Sequence, residues 1–118
     1  MIAIVNVSIQ EELIEMMGKE EFEDLLNEAA HQFEERSAGL MSFLSAADWS
    51  QARAMAHKIK GSMGTLGYDA LFQSLDALER RLLADPIDVP SDAEVEEIRH
   101  HLTFNIFLNS IFLFCINP

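Results

Sequence analysis

The segment Ala56-His57-Lys58-Ile59-Lys60-Gly61-Ser62-Met63-Gly64-Thr65-Leu66-Gly67 places a histidine, two lysines and three glycines within twelve residues. Read on a 3.6-residue period together with the residues before it, it splits into two stripes. Ser50, Arg53, Ala54, His57, Lys60, Gly61 and Gly64 fall along one side. Ala52, Met55, Ala56, Ile59, Met63 and Leu66 fall along the other, which is apolar throughout. The split predicts a helix that buries its methionine and leucine side and shows His57 to solvent. Glycine inside a helix costs about 1 kcal/mol against alanine. Two glycines beside an exposed imidazole are explained if something bulky approaches that ring closely.

Working outward, Asp48 reads as the N-cap of this helix and Gly67 as its C′ residue. Upstream, Lys19 to about Ala46 carries the longest helical pattern. Phe22, Leu25, Leu26, Ala29, Ala30, Phe33, Leu40, Phe43 and Leu44 form one stripe, and glutamates fill the other. Ser37 and Gly39 are candidate kink positions within it. Before that, Ser8 with Glu11 reads as a capping box that opens a short helix through about Met17, closed by Gly18. Its face is Ile9, Leu13, Ile14 and Met17, and residues 1–8 read as a short arm or leader. Downstream, Tyr68-Asp69 begins a helix with Leu71, Leu75, Leu78 and Leu82 at helical spacing, stopping before Pro86. Residues 84–90 read as a loop, and Ser91 with Glu94 forms a second capping box before a last helix through Val95 and Ile98. The expected fold is all-α: an up-and-down four-helix bundle with a short additional N-terminal helix.

The chain has 118 residues, room for one domain, and 20 acidic against 8 basic residues give a net charge of −12. Nucleic acid and anionic membrane surfaces would be repelled, so neither is an expected partner. The lone cysteine, Cys115, rules out an intrachain disulfide and any multi-cysteine zinc site. A cytoplasmic setting fits, and the first residues lack the basic region of a secretory signal. Leu102 to Pro118 has no charged residue and holds four of the eight phenylalanines. It is interrupted by Asn105, Asn109 and Ser110 and falls short of the about 20 apolar residues that a membrane span needs. The expected division is a bundle domain over 1–108 and an apolar tail over 109–118. The protein is expected to be a monomer, with the tail as the route to self-association.

The run His57-x-x-Lys60-Gly61-Ser62, followed by Gly67 and by Leu71, Leu75 and Leu78-Glu79, resembles the histidine-containing phosphotransfer (HPt) domain. The motif spans roughly Ala52 to Arg81, and the helical pattern is compatible with that domain up to about His101. A neutral imidazole is a competent nucleophile toward an activated phosphoryl group. Such transfer passes through a loose transition state, so positioning and charge neutralisation do most of the work. Lys60, one turn on, would neutralise charge on arriving phosphoryl oxygens and favour the uncharged ring. Gly61 would clear the approach and Gly64 would extend the cleared surface. Arg53, Ala54 and Lys58 border the stripe as candidate partner-contact positions. The resemblance implies that His57 accepts a phosphoryl group from an aspartyl-phosphate on a receiver domain of a hybrid histidine kinase. It then passes the group to the receiver of a response regulator, as a phosphocarrier without kinase activity of its own. It also implies that the receiver brings the magnesium ion and its carboxylates, so this chain is expected to bind no cofactor or metal.

Other readings attach to other features. A helical interaction or scaffold module would act through the apolar tail and would bind without His57. His100 and His101 are adjacent and point about 100° apart on a helix, so they do not chelate as an i, i+4 pair would. Gly61, Gly64 and Gly67 fit neither the dinucleotide fingerprint nor the Walker loop. No second acid, base or metal constellation accompanies His57, which counts against a small enzyme.

Overall fold

In a computed structural model of the chain, residues 6–103 are described, and they are helical apart from short turns and one loop. Helix α1 covers Val7–Met17, α2 Lys19–Ser45, α3 Trp49–Thr65 and α4 Asp69–Leu83. Helix α5 covers 92–103 of the described residues. The order and type of the elements match the expected four-helix bundle with a short lead helix. No described helix is long and apolar enough to cross a membrane. The proposed tail over 109–118 lies outside the described residues. Of the apolar run from 102, Leu102 is buried in the bundle.

The core is one cluster with contributions from α2 to α5. Phe22, Leu26, Phe33, Leu40 and Leu44 enter it from α2, and Ala52, Ala56, Ile59 and Met63 from α3. Leu71, Leu75, Leu78 and Leu82 complete it from α4, with Leu102 from α5. The periodic stripes therefore face inward, with one exchange. Leu25 is 36% exposed, whereas Ser37 is 6% exposed and occupies a core position. Over 27 residues the α2 stripe must keep to one face, and the buried series 22-26-33-37-40-44, stepping by three, four or seven residues, passes through Ser37 rather than Leu25. Helix α2 runs through Ser37 and Gly39 as a single element.

Three turns set the topology. At the end of α3 the Gly67 N–H donates to Gly64 O (3.1 Å) and the Tyr68 N–H to Met63 O (2.9 Å). This is a Schellman ending with glycine at the C′ position, at φ 89°, where a side chain would be strained. The end of α2 has the same two bonds, Ala47 N–H to Leu44 O and Asp48 N–H to Phe43 O. There the C′ residue is Ala47, at φ 55°. Gly18, at φ 88°, closes α1 by donating to Ile14 O (2.7 Å), and α2 begins at the next residue.

Asp48 caps α3 by accepting from the Gln51 N–H, as its residue type predicts. The start of α1 departs from expectation. Asn6, not Ser8, is the N-cap, accepting from the Ile9 N–H, so Val7 and Ser8 are helical. Tertiary bonds decide the choice. The Asn6 N–H donates to Gly67 O (2.6 Å) and its amide to Asp69 (3.1 Å), which ties the chain to the α3–α4 turn. The buried Gln10 adds a bond from its amide to Leu66 O (2.9 Å), satisfying an α3 terminal carbonyl. Helix α1 thus caps α3 as well as covering the core. Beside it, burial pushes the Tyr68 phenol up to about 12, partly offset by a hydrogen bond with Gln10.

The second capping box is present. The Glu94 N–H donates to Ser91 Oγ (3.2 Å) and the Ser91 N–H to Glu94 Oε1 (3.1 Å). Arg81 extends it into a clamp on the 84–91 loop, pairing with Glu94, with the Asp88 carboxylate and with the carbonyls of Asp88 and Val89.

Replacing Ala47 by glycine should relieve left-handed strain that exceeds the entropy glycine adds to the unfolded chain. Urea unfolding of Ala47→Gly is expected to show a gain on the order of 0.5–1 kcal/mol. The Arg81 guanidinium, with Ser91, holds the Glu94 carboxyl at about 2, below its ordinary 4.5. The folded chain binds that proton less readily than the unfolded one. The stabilisation is therefore complete above about pH 4.5 and is lost as pH falls toward about 2. Urea midpoints measured from pH 5 to pH 3 should fall less steeply for Glu94→Gln than for the native chain.

Candidate functional site

His57 sits in mid-α3 on the side away from the core, and its side chain is 67% exposed. It is not isolated. Helix α4 packs along α3 through the leucine stripe, and Asp76 and Glu79, three residues apart, flank that stripe. Glu79 Oε1 lies 2.9 Å from His57 Nδ1, and Glu79 Oε2 lies 2.6 Å from Lys60 Nζ. Lys60 also pairs with Asp76 at 3.1 Å, and Asp76 in turn with Arg80 at 3.0 Å. The Lys60 ammonium lies 5.6 Å from the centre of the Phe72 ring, within cation–π range. One carboxylate thus bridges the histidine and the lysine.

Glu79 is 12% exposed and Lys60 16%. Desolvation pushes the Glu79 carboxyl up, but the hydrogen bonds from Lys60 and His57 outweigh it and hold the group below the ordinary range. The hydrogen bond to Glu79, then that to Asp76, pushes Lys60 up. Both groups are charged near neutrality. An ionised carboxylate only accepts, so the ring must present an N–H at Nδ1, and in the neutral imidazole the lone pair then lies on Nε2. That tautomer is assigned from the bonding partner. Lys60 is therefore not a bare cation one turn from the ring. Two carboxylates compensate it, and its geometry positions Glu79.

The remaining positions named from sequence fall as follows. Gly61 is exposed, and a Cβ built there meets nothing within 4 Å. It lies between two grooves. One, of about 430 Å³, is bordered by Leu25, Ala29 and Gln32 of α2. The other, of about 420 Å³, is bordered by Gly64, Asp69 and Phe72. Gly64 has a further reason to be glycine, because a Cβ there would stand 2.7 Å from Phe72 Cδ2. It lets the Phe72 ring lie against α3. Ala54 and Lys58 are exposed and Arg53 is half-buried. Ser62 accepts from Arg36 of α2 (3.3 Å) and joins the two helices. Among the described residues no cluster of three or more histidine, cysteine or acidic side chains could hold a metal ion.

In the sequence Glu79 stands within the motif with no role of its own, and nothing there distinguishes Asp76. The available signal was the acidic i, i+3 pair on α4 beside the leucine stripe. What it meets on α3 is a property of packing.

The bundle thus presents a histidine on the outer face of one helix, braced by a carboxylate from the neighbouring helix. The Hpt domain family model matches residues 12–103, and the chain belongs to that family. Proteins of this family carry out histidine phosphotransfer in phosphorelays as carriers, exchanging with receiver domains. No curated protein and no solved structure gives a significant match to the chain.

Gly61→Ala fills open space in mid-helix and is expected to raise unfolding free energy by about 0.5–1 kcal/mol. Gly64→Ala should lose that gain, because its methyl group displaces Phe72. Thermal melts of the two variants side by side check the contrast.

Proposed function

We propose that His57 is the phosphoacceptor and that Nε2 is the nitrogen that takes the phosphoryl group. The supporting observation is the exposed ring whose Nδ1 is engaged by a half-buried, ionised carboxylate, which directs the lone pair to Nε2. On this reading the group arrives from an aspartyl-phosphate on one receiver domain and leaves to the aspartate of another. Receiver domains of a hybrid kinase and of a response regulator fill the two roles. The receiver carries the magnesium ion and the metal-binding carboxylates, and this chain contributes a positioned nucleophile with no kinase activity of its own.

Gly61 leaves room for a partner to reach the ring, since an added side chain there would project into open space. Ala54 and Lys58 offer exposed contact surface around His57, and Arg53 adds positive charge toward an acidic receiver pocket. Gly64 borders the second groove, where its first duty is to Phe72. Work in the cytoplasm follows from this reading, because receiver domains and their kinases meet there.

The test is transfer of labelled phosphoryl groups from a receiver domain to the native chain and to His57→Gln. Acid-labile, base-stable label on the native chain alone is the expected outcome. Label on both would move the acceptor to another residue. Label on neither, with the receiver still bound, would make the chain an interaction module.

A further inference from the structure

Resting on the phosphocarrier reading, we propose that Arg53, not Lys60, is the cation that grips the phosphoryl oxygens on His57 and slows the loss of that group to water. The observation behind this is a register. Helices α3 and α4 run antiparallel, and three cross-helix pairs fix how they line up. A Cβ on Gly64 would meet the Phe72 ring, Lys60 pairs with Asp76, and His57 pairs with Glu79. Each step back along α3 is matched by an equal step forward along α4, and the next such pair is Arg53 with Leu83. The histidine and the lysine are set against carboxylates. The arginine is set against a leucine, itself 57% exposed.

Arg53 is thereby left without compensation. It is half-buried, and among the described residues it makes neither a hydrogen bond nor an ion pair. In a chain of net charge −12, its guanidinium is open to an anion from outside. Lys60 is the opposite case, 16% exposed and paired with Asp76 at 3.1 Å and Glu79 at 2.6 Å. Turning it toward a phosphoryl group would leave both carboxylates unpaired. Arg80 is likewise held by Asp76. Lys58 adjoins His57, and adjacent positions on a helix do not face each other. Arg53 precedes His57 by four residues, the spacing at which helical side chains are neighbours. A helical side chain also covers the turn N-terminal to its own Cα, so a group carried on His57 lies over Arg53 and Ala54. Ala54 leaves room there, and a planar guanidinium on a long stem can meet two phosphoryl oxygens at once.

The direction of the effect follows from the charges. In loss to water the N–P bond breaks and its electron pair returns to Nε2, while the ring keeps its other proton. The water oxygen bonds to phosphorus, and both of its hydrogens leave on inorganic phosphate. The phosphoryl oxygens begin doubly charged, and in the loose transition state the group approaches singly charged metaphosphate. A cation on those oxygens therefore stabilises the loaded state more than the transition state, and the cargo stays longer. The same cation favours the doubly charged phosphoryl group over its protonated form.

Potassium phosphoramidate, whose P–N bond breaks as ammonia leaves, loads the ring without a receiver. The full-length chain, Arg53→Gln, Arg53→Lys and Arg99→Gln would each be loaded and checked for cooperative melting. Phosphorus NMR across pH would titrate the phosphoryl group, and its loss would be timed at neutrality. In Arg53→Gln the titration midpoint is expected to rise by about half a unit and loss to quicken about threefold. Arg53→Lys, which keeps the charge but not the fork, should recover part of both. Arg99→Gln removes the same charge from α5 and should match the native chain. Coincident titrations and lifetimes for the native chain and a loaded, folded Arg53→Gln would overturn the grip and leave the carrier reading standing, even if transfer from a receiver slowed. An equal shift in Arg99→Gln would overturn it too, by tracing the effect to overall charge. A native chain that does not load, or loading that persists in His57→Gln, would instead overturn the assignment of the acceptor, and this inference with it.

Discussion

Ala52 and Ala56 allow the backbone of α3 to approach its neighbours, and the leucines of α4 fill the space between the two helices. Everything at the site depends on that spacing. The bonds from Glu79 to His57 and Lys60 tolerate only a few tenths of an ångström before they lengthen into weak contacts. A rigid, close-packed interface can hold such a tolerance, whereas two surface side chains on a loop would not. The core between α3 and α4 thus also fixes the orientation of an exposed ring.

Charge is distributed with the same economy. The chain carries a net charge of −12, yet its lysine beside the histidine is surrounded by acids on only one flank. Partly desolvated pairs of this kind contribute less to stability than their Coulomb attraction suggests, because both ions give up hydration. Their value lies in specifying geometry. Arg81 does comparable work at the other end of α4, where one planar guanidinium meets two carboxylates and two carbonyls. A lysine could not reproduce that fork.

Helix number, order and the buried face of each helix were legible in the sequence, because apolar periodicity and caps act over a few residues. Asp48, Gly18, Gly67 and the Ser91–Glu94 box all occupy the places that local chemistry predicts. The misreadings share a cause. Ser8 and Glu11 make a plausible local cap, but Asn6 gains bonds to Gly67 and Asp69, more than sixty residues away in sequence. Leu25 looks like core and Ser37 does not, until the helix axis is set by its neighbours. Gly64 suggests cleared surface until Phe72 is seen against it. His57 stood out because a histidine and glycines on one helical stripe are locally unusual. Glu79 did not, since an acid on an exposed helix flank is ordinary and only its partner on α3 distinguishes it.

The ring of His57 stands on a convex helix face, two-thirds open to solvent. A surface of that shape can expose a reactive atom to many visitors, but it cannot shield one. On the carrier reading, exclusion of water during exchange falls to whichever partner closes over the ring, and between visits the cargo stands in the open. Storage is then a race between the next encounter and hydrolysis. On that reading the bundle would work as a relay with a built-in expiry, and how long a signal survived in it would depend on partner concentration as much as on the helices that hold the ring.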